Sequence, residues 1–244
     1  MPQLSKYFSV DCVIFGFDFE QLNVLLVERI LVEPESGHQL VADLTLAGNH
    51  VFDDEDLDDA AQRILYDLTG LKNIYLEQFK VFGNPRRLEK PADQLWLAHT
   101  GRDPKSRIIT TGYFSLLNTK KVTIEWRGRN VKWYPVDQIK ELAFDHKEIL
   151  DEALKALRNK LKQEPIGFEL LPEKFTLSQM QKLYEIILGV ELDKRNFRKK
   201  VSRMKYLEQL EEKQIGVNHK PGRLYHFNKE IYEQSKVEIF DFTV

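Results

Sequence analysis

The chain has 244 residues, enough for one large domain or two smaller ones, each with a core of its own. Charged residues make up 30% and apolar residues 42%, a folded composition that excludes extended disorder, and no run approaches the roughly 18 to 20 apolar residues of a membrane span. The net charge of −2 excludes a chain coated in positive charge, but it hides one basic patch: Lys194 to Lys205 holds seven basic residues and no acid.

In chain order, the apolar run Val10 to Phe17 and a second run ending at Glu28 and Arg29 read as a hairpin or two adjacent strands. Cys12, the single cysteine, falls inside the first run and reads as a small core residue; with no basic apolar leader at Met1 to Lys6, a reducing cytoplasm is expected. From Leu57 to Leu71 apolar residues recur at helical spacing, with Asp56 as the start cap and Gly70 as the stop. Tyr75 to Phe82, Gly112 to Leu117 and Val131 to Tyr134 read as strands, and residues 146 to 161 as a helix that ends at a breaker-rich boundary, Gln163 to Gly167. The expected domains are therefore 1–163, including that linking helix, and 164–244.

Beyond the boundary, Thr176 and Gln179 have the spacing of a capping box, with Phe175 and Met180 at the staple positions. Gly189 ends that helix, and Asp193 caps another running to about Met204, with Phe197, Val201 and Met204 on one side and Arg195, Arg198, Lys199 and Ser202 on the other. After an acidic patch (Glu208, Glu211, Glu212), Gln214 to Val217 and Arg223 to Phe227 read as a hairpin across Asn218 to Gly222. Two helices and a hairpin with a basic tip describe a winged helix-turn-helix. Phosphate contacts need cations and base reading needs Arg, Asn or Gln on a helix, so the DNA-contacting candidates are Thr176, Ser178, Lys194, Arg195, Asn196, Arg198, Lys199 and Arg203, with His219, Lys220 and Arg223 on the wing. The bland alternative is a solvated cationic face.

The stretch LAGNHVFDDEDLDDAAQRIL, continued by YDLTGL, resembles the Nudix hydrolase signature, with Gly48, Val51, Glu55, Leu57, Ala60, Ala61, Arg63, Leu65, Thr69, Gly70 and Leu71 at motif positions. Hydrolysis in that family needs helix carboxylates that hold Mg²⁺, a hard ion that wants oxygen ligands. Those positions are Ile64, Asp67 and Leu68, so two of the three have become hydrocarbon. Glu55, Asp58 and Asp59 read as ordinary acids near a helix N-terminus. No catalytic residue, metal or cofactor is expected, and the domain reads as a sensor that is not an enzyme.

The segments FTLSQMQKLYEIILG, LDKRNFRKK and GRLYHF, with LAFDHKEILDEAL between the domains, resemble the Nudix-related transcriptional regulators, so the likeness spans nearly the whole chain. It implies an α+β protein, a Nudix-like α/β/α sandwich with a mixed sheet followed by a winged helix. It also implies a homodimer on double-stranded operator DNA, released by a small molecule. The chain looks closest to the arabinose-responsive branch, partly through the long segment Arg86 to Arg107, which implies a repressor of sugar use with L-arabinose as effector. The effector-site candidates are Lys6, Glu28, Arg29, Asn49, His50 and Asp93, with Trp96 as an aromatic wall. Three readings compete with it: an ADP-ribose or nucleotide-sugar sensor, a Nudix pyrophosphatase with residual activity, and a ligand-binding module whose basic helix contacts another protein.

Overall fold

From Cys12 to Phe17 the first strand carries no polar side chain, so that part must be covered on both faces. In the computed structural model, which describes residues 3–125, 130–218 and 220–235, that strand is β1, Leu4–Phe17, and Val10 and residues 12 to 15 are fully enclosed. It is longer than the sequence suggests. Its second half pairs antiparallel with β2 (Leu22–Val32), and its first half with β4 (Ala47–Phe52), which follows β3 (Gln39–Thr45). Along its other edge it pairs parallel with β6 (Ile109–Asn118), which in turn carries β5 (Glu77–Phe82). Adding β7 (Val131–Pro135) on β2 completes a mixed sheet of seven strands.

Helix α1, Leu57–Thr69, forms where its periodicity and caps place it. The Asp56 side chain accepts from the Asp58 N–H, and Gly70, at φ 74°, ends the helix in the left-handed conformation that costs glycine nothing. Its apolar face, Ala60, Ala61, Ile64 and Leu65, packs on Val10, Cys12, Ile14 and Leu25 of the sheet. Cys12 is wholly buried, its thiol contacts the Ala61 carbonyl, and burial pushes its pKa up, so it is a core residue as expected.

Two helices escaped the sequence reading, Pro91–His99 and Lys229–Ser235. Pro91–His99 forms α2, with Pro91 in its first turn, where a missing N–H costs no helix bond. The linking helix is α3, His146–Gln163, and it buries Ile149, Leu150, Ala153, Leu157 and Leu161. The chain separates into two compact units, residues 1–18 with 22–156, and residues 19–21 with 157–244. No helix among the described residues is long and apolar enough to cross a membrane.

In the second unit, strand β8 (Lys174–Thr176) leads into α4 (Leu177–Leu188). Both bonds of the capping box are present: Gln179 N–H donates to the Thr176 hydroxyl, and the Gln179 side-chain oxygen accepts from the Thr176 N–H. Helix α5 is Lys194–Val201, capped by Asp193 and shorter than its predicted end at Met204. The wing also begins elsewhere. Strand β9 is Leu207–Lys213, so Glu208, Glu211 and Glu212 belong to the strand itself, and Gln214 to Val217 fall in the loop that follows. Exposed strands tolerate charge on their open side, and β9 pairs only with β10 (Arg223–Phe227), which lies between it and β8. A short helix, α6 (Lys229–Ser235), follows. Phe168 stacks on Phe227, and Tyr206 meets both rings edge-on, an aromatic core beneath the three strands. The architecture is a mixed α+β protein with the fold the resemblance implied.

Candidate functional site

A cavity of about 460 Å³ opens in the first unit beside β4, within the range that small-molecule sites occupy. Glu28, Arg29, Asn49, His50 and Trp96, all anticipated from the sequence, line it. Two anticipated residues do not. Lys6 is exposed on β1 outside the lining, and Asp93 is buried behind Arg29, where it acts as a support.

The support is specific. Arg29 is 1% exposed; its Nε donates to Asp43 Oδ1 at 2.7 Å and its Nη2 to Asp93 Oδ1 at 2.7 Å. Burial works against its charge, and the two carboxylates outweigh that, so its pKa stands above the ordinary value. The guanidinium lies 4.6 Å from the Phe144 ring and 5.4 Å from the Trp96 ring, and its buried Nη1 has no hydrogen-bond partner among the described residues. Phe144 takes φ 53°, unusual for a non-glycine residue, and its N–H donates to both oxygens of Asp93 at 3.1 Å. Lys90 caps the same turn by donating to the carbonyls of Leu142 and Phe144.

A second buried network forms the floor. Asp11, 5% exposed in the middle of β1, accepts from the Thr110 hydroxyl at 2.8 Å and stands 3.5 Å from Arg87 Nη2 and 3.4 Å from His146 Nε2. Arg87 also holds Asp145 through two bonds of 2.8 and 2.7 Å. Burial pulls the Arg87 pKa down and its partners Asp145 and Asp11 more than restore it. Gly48 makes room for this floor, since a Cβ there would stand 1.9 Å from Asp11 Oδ1.

The two histidines of the cavity have opposite tautomers. His50 Nδ1 lies 2.6 Å from the Ser5 carbonyl, which can only accept, so Nδ1 carries the proton. His146 Nδ1 accepts from the Leu46 N–H at 3.0 Å, so there the proton is on Nε2, facing Asp11. Burial lowers the pKa of both, and for His50 the nearby charge of Arg102 adds to the effect. Both are neutral at neutral pH.

Sequence reasoning missed Asp11, Arg87, Arg102, Phe144 and His146. Asp11 could have been found, because an acid inside an otherwise apolar run is expensive to bury without a purpose. The rest lie on loops or at a helix start, and only the fold brings them together.

The signature helix takes no part in the cavity: none of the lining residues belongs to α1. Ile64 is 1% exposed in the core, Leu68 packs against the same core, and Asp67 is exposed with Arg63 at 3.9 Å. Glu55 is spent on Arg63, with bonds of 2.6 and 2.7 Å, and this pairing holds its carboxyl below the usual range. Asp58 accepts from the Tyr113 hydroxyl at 2.6 Å.

In the second unit, α5 buries Phe197 and Val201 and exposes Lys194, Arg195, Asn196, Arg198 and Lys199, with Ser202 and Arg203 exposed just beyond it. Lys220 and Arg223 are exposed on the wing; His219 lies outside the described residues. Ser178 is exposed in the first turn of α4, while the Thr176 hydroxyl is 5% accessible as a residue and committed to its cap. A second cavity between α4 and the wing adds Gln179, Lys182 and Gln214 to the residues read from sequence.

A sheet-based sensor cavity in one unit and a cationic helix with a wing in the other define a ligand-responsive DNA-binding regulator. Residues 6–153 match the NUDIX domain model, and residues 167–227 match the NrtR DNA-binding winged helix domain. The chain belongs to the family of NrtR-like transcriptional repressors with a Nudix sensor domain. It is 31% identical, over 234 residues, to the ADPR responsive transcriptional repressor NtrR of Acinetobacter baylyi, covering 94% of this chain and 85% of that one. Its structure resembles Shewanella oneidensis NrtR alone (TM-score 0.67, 27% identity) and in complex with a 27mer DNA (TM-score 0.64, 26% identity). In each case 96% of this chain and 97% of the other are covered.

Proposed function

We propose that this protein is a homodimeric repressor whose Nudix-type domain, 1–163, binds ADP-ribose and thereby releases operator DNA held by the winged helix, 164–244. The effector-site residues are Glu28, Arg29, Asn49 and His50 at the cavity wall, with Asp93 in support. Lys194, Arg195, Asn196, Arg198 and Lys199 on α5, with Arg203 just beyond it, read and grip the DNA, and Ser178, Lys220 and Arg223 flank it on the phosphates. Thr176 acts indirectly, by fixing the start of α4.

The observation that carries the effector reading is Arg102 at the cavity wall, since the charges of Arg29 and Arg87 are already met by carboxylates. Arg102 donates to the neutral Asn49 side-chain oxygen at 2.8 Å, and after burial its positive charge is what most lowers the pKa of His50. A diphosphate matches that field; a neutral pentose gains nothing from it. The name of the Acinetobacter relative points the same way. L-arabinose, suggested in part by the long segment Arg86 to Arg107, gains no such support: in the structure this segment is α2 and the cavity wall bearing Trp96 and Arg102.

The domain acts as a sensor without hydrolysis, because Ile64 and Leu68 offer no oxygen to a metal and Glu55 is held by Arg63. Operator duplexes selected from random sequence, titrated by fluorescence anisotropy with ADP-ribose, ADP and L-arabinose, test the proposal. Release by ADP-ribose alone is expected, with no Mg²⁺-dependent consumption of it. Release by arabinose alone, or steady hydrolysis of ADP-ribose, would replace it with one of the other readings.

A further inference from the structure

Among the cavity residues, His50 is held more completely than a wall residue needs to be. Its N–H donates to Asn49 Oδ1 at 2.9 Å, its carbonyl accepts from Arg63 Nη2 at 3.1 Å, and its ring is fixed by the Ser5 carbonyl at 2.6 Å. The residue is 5% exposed, and what remains accessible lines the cavity. The Ser5 bond consumes the ring's one proton, so Nε2 presents a lone pair, and the hydrogen bonds of His50 among the described residues use its N–H, its carbonyl and Nδ1 but not Nε2. The charge that acts on it most is that of Arg102, a cation that attracts anions, while Arg87 is already paired with Asp11 and Asp145. A neutral acceptor in such a wall has no use for a phosphate oxygen.

We propose that His50 is a specificity-determining residue of the effector site, whose Nε2 accepts a hydrogen bond from one ribose hydroxyl while the diphosphate lies towards Arg102. The inference rests on the ADP-ribose reading above and adds to it the division of labour within the cavity. An acceptor fixed in this way discriminates strongly: a ligand lacking the hydroxyl leaves Nε2 buried and unpaired, and sites built on such a bond reject the deficient analogue by large factors. His146, with the opposite tautomer and its Nε2 proton turned to Asp11, cannot perform this role.

Two measurements test it. In the ligand-free protein, long-range ¹H–¹⁵N spectra of histidine-labelled chain above pH 7 should show the Nδ1–H tautomer at His50 and the Nε2–H tautomer at His146. An Nε2–H tautomer at His50 would overturn the proposal whatever the effector. Calorimetric titration of the wild type, His50→Phe and His50→Gln with ADP-ribose and with analogues each lacking one ribose hydroxyl is the second. The wild type should lose up to about 100-fold in affinity for one analogue, the cost of leaving one buried acceptor unpaired. His50→Phe should bind that analogue and ADP-ribose equally, and His50→Gln, whose amide oxygen can stand near Nε2, should restore part of the difference. Equal binding of every analogue by the wild type, or undiminished discrimination in His50→Phe, would remove the role of His50 and leave the effector standing. Failure of ADP-ribose to bind the wild type would overturn the effector reading and the ribose hydroxyl with it.

Discussion

Arg29 and Arg87 in the sensor domain are almost fully enclosed, and each is held by two carboxylates, Asp43 with Asp93 and Asp11 with Asp145. Arg195, Arg198 and Arg203 in the winged helix are exposed, with no ion-pair partner among the described residues. The same side chain serves opposite ends in the two regions. A guanidinium taken out of water must be compensated on the spot, so the sensor's arginines are bound into the fold before any ligand arrives. Those on α5 keep their hydration and lose it only against DNA, where displaced counterions add to the affinity.

If this contrast is right, removing a carboxylate in the sensor should damage stability most. Asp93→Ala leaves the buried edge of Arg29 and the Phe144 N–H without their acceptor, and should destabilise the sensor by about 3 kcal/mol, as expected for breaking a buried pair. Urea denaturation measures it. Asp93→Asn, which keeps an oxygen acceptor, should cost less; equal stability of wild type and Asp93→Ala would mean the pairing is incidental.

On α5 the same kind of change should spare the fold. Arg198→Ala is expected to shift stability by less than about 0.5 kcal/mol while weakening operator binding by about 1 to 3 kcal/mol. If Arg198 contacts phosphate, the salt slope of binding should fall by about one. Anisotropy titrations at several salt concentrations decide, and a destabilised variant that binds DNA normally would reverse the contrast.

The comparison extends to pH. His50 and His146 both have pKa values lowered from 6.5 by burial, and α5 carries no histidine. Below pH 6.5 the unfolded chain takes up protons that the folded sensor refuses, so stability is complete above that pH and falls as pH drops towards the folded pKa values. The slope is at most about 1.4 kcal/mol per pH unit for each histidine. Denaturation at pH 7.5 and 5.5 should show this loss, and His146→Gln should show less of it. The pairing of Glu55 with Arg63 is protective above 4.5 and adds nothing in this window.

The regions also differ in how much of them the sequence discloses. Helices α1, α4 and α5 announce themselves through local signals: Asp56 and Gly70, the Thr176 and Gln179 pair, and Asp193 each act within a few residues of their own position. The DNA-facing surface is legible for the same reason, because one short helix supplies most of it. The sensor cavity is not, because its polar wall is assembled across the fold. Asp11 meets Thr110 and His146, and Arg29 meets Asp93 and Phe144, pairs separated by about 60 to 135 positions that no periodicity links. Helix α2 carries local signals too, with Pro91 at its start and Gly101 at φ 74° just past its end.

The smallest expected effect separates support from contact within the DNA-binding domain itself. Thr176 is 5% exposed, and its hydroxyl accepts from the Gln179 N–H at 3.2 Å, so it is already engaged before DNA is met. Thr176→Ala should cost about 1 kcal/mol of stability, the usual value for losing a helix start cap. Its effect on operator affinity should follow only from that loss and leave the salt slope unchanged, since no charge is removed. Ser178→Ala, at an exposed position in the same turn, should do the reverse, sparing stability and weakening binding slightly. Thermal denaturation and salt-dependent anisotropy of the two variants provide the test: a lowered affinity for Thr176→Ala at full stability would make its hydroxyl a direct DNA contact.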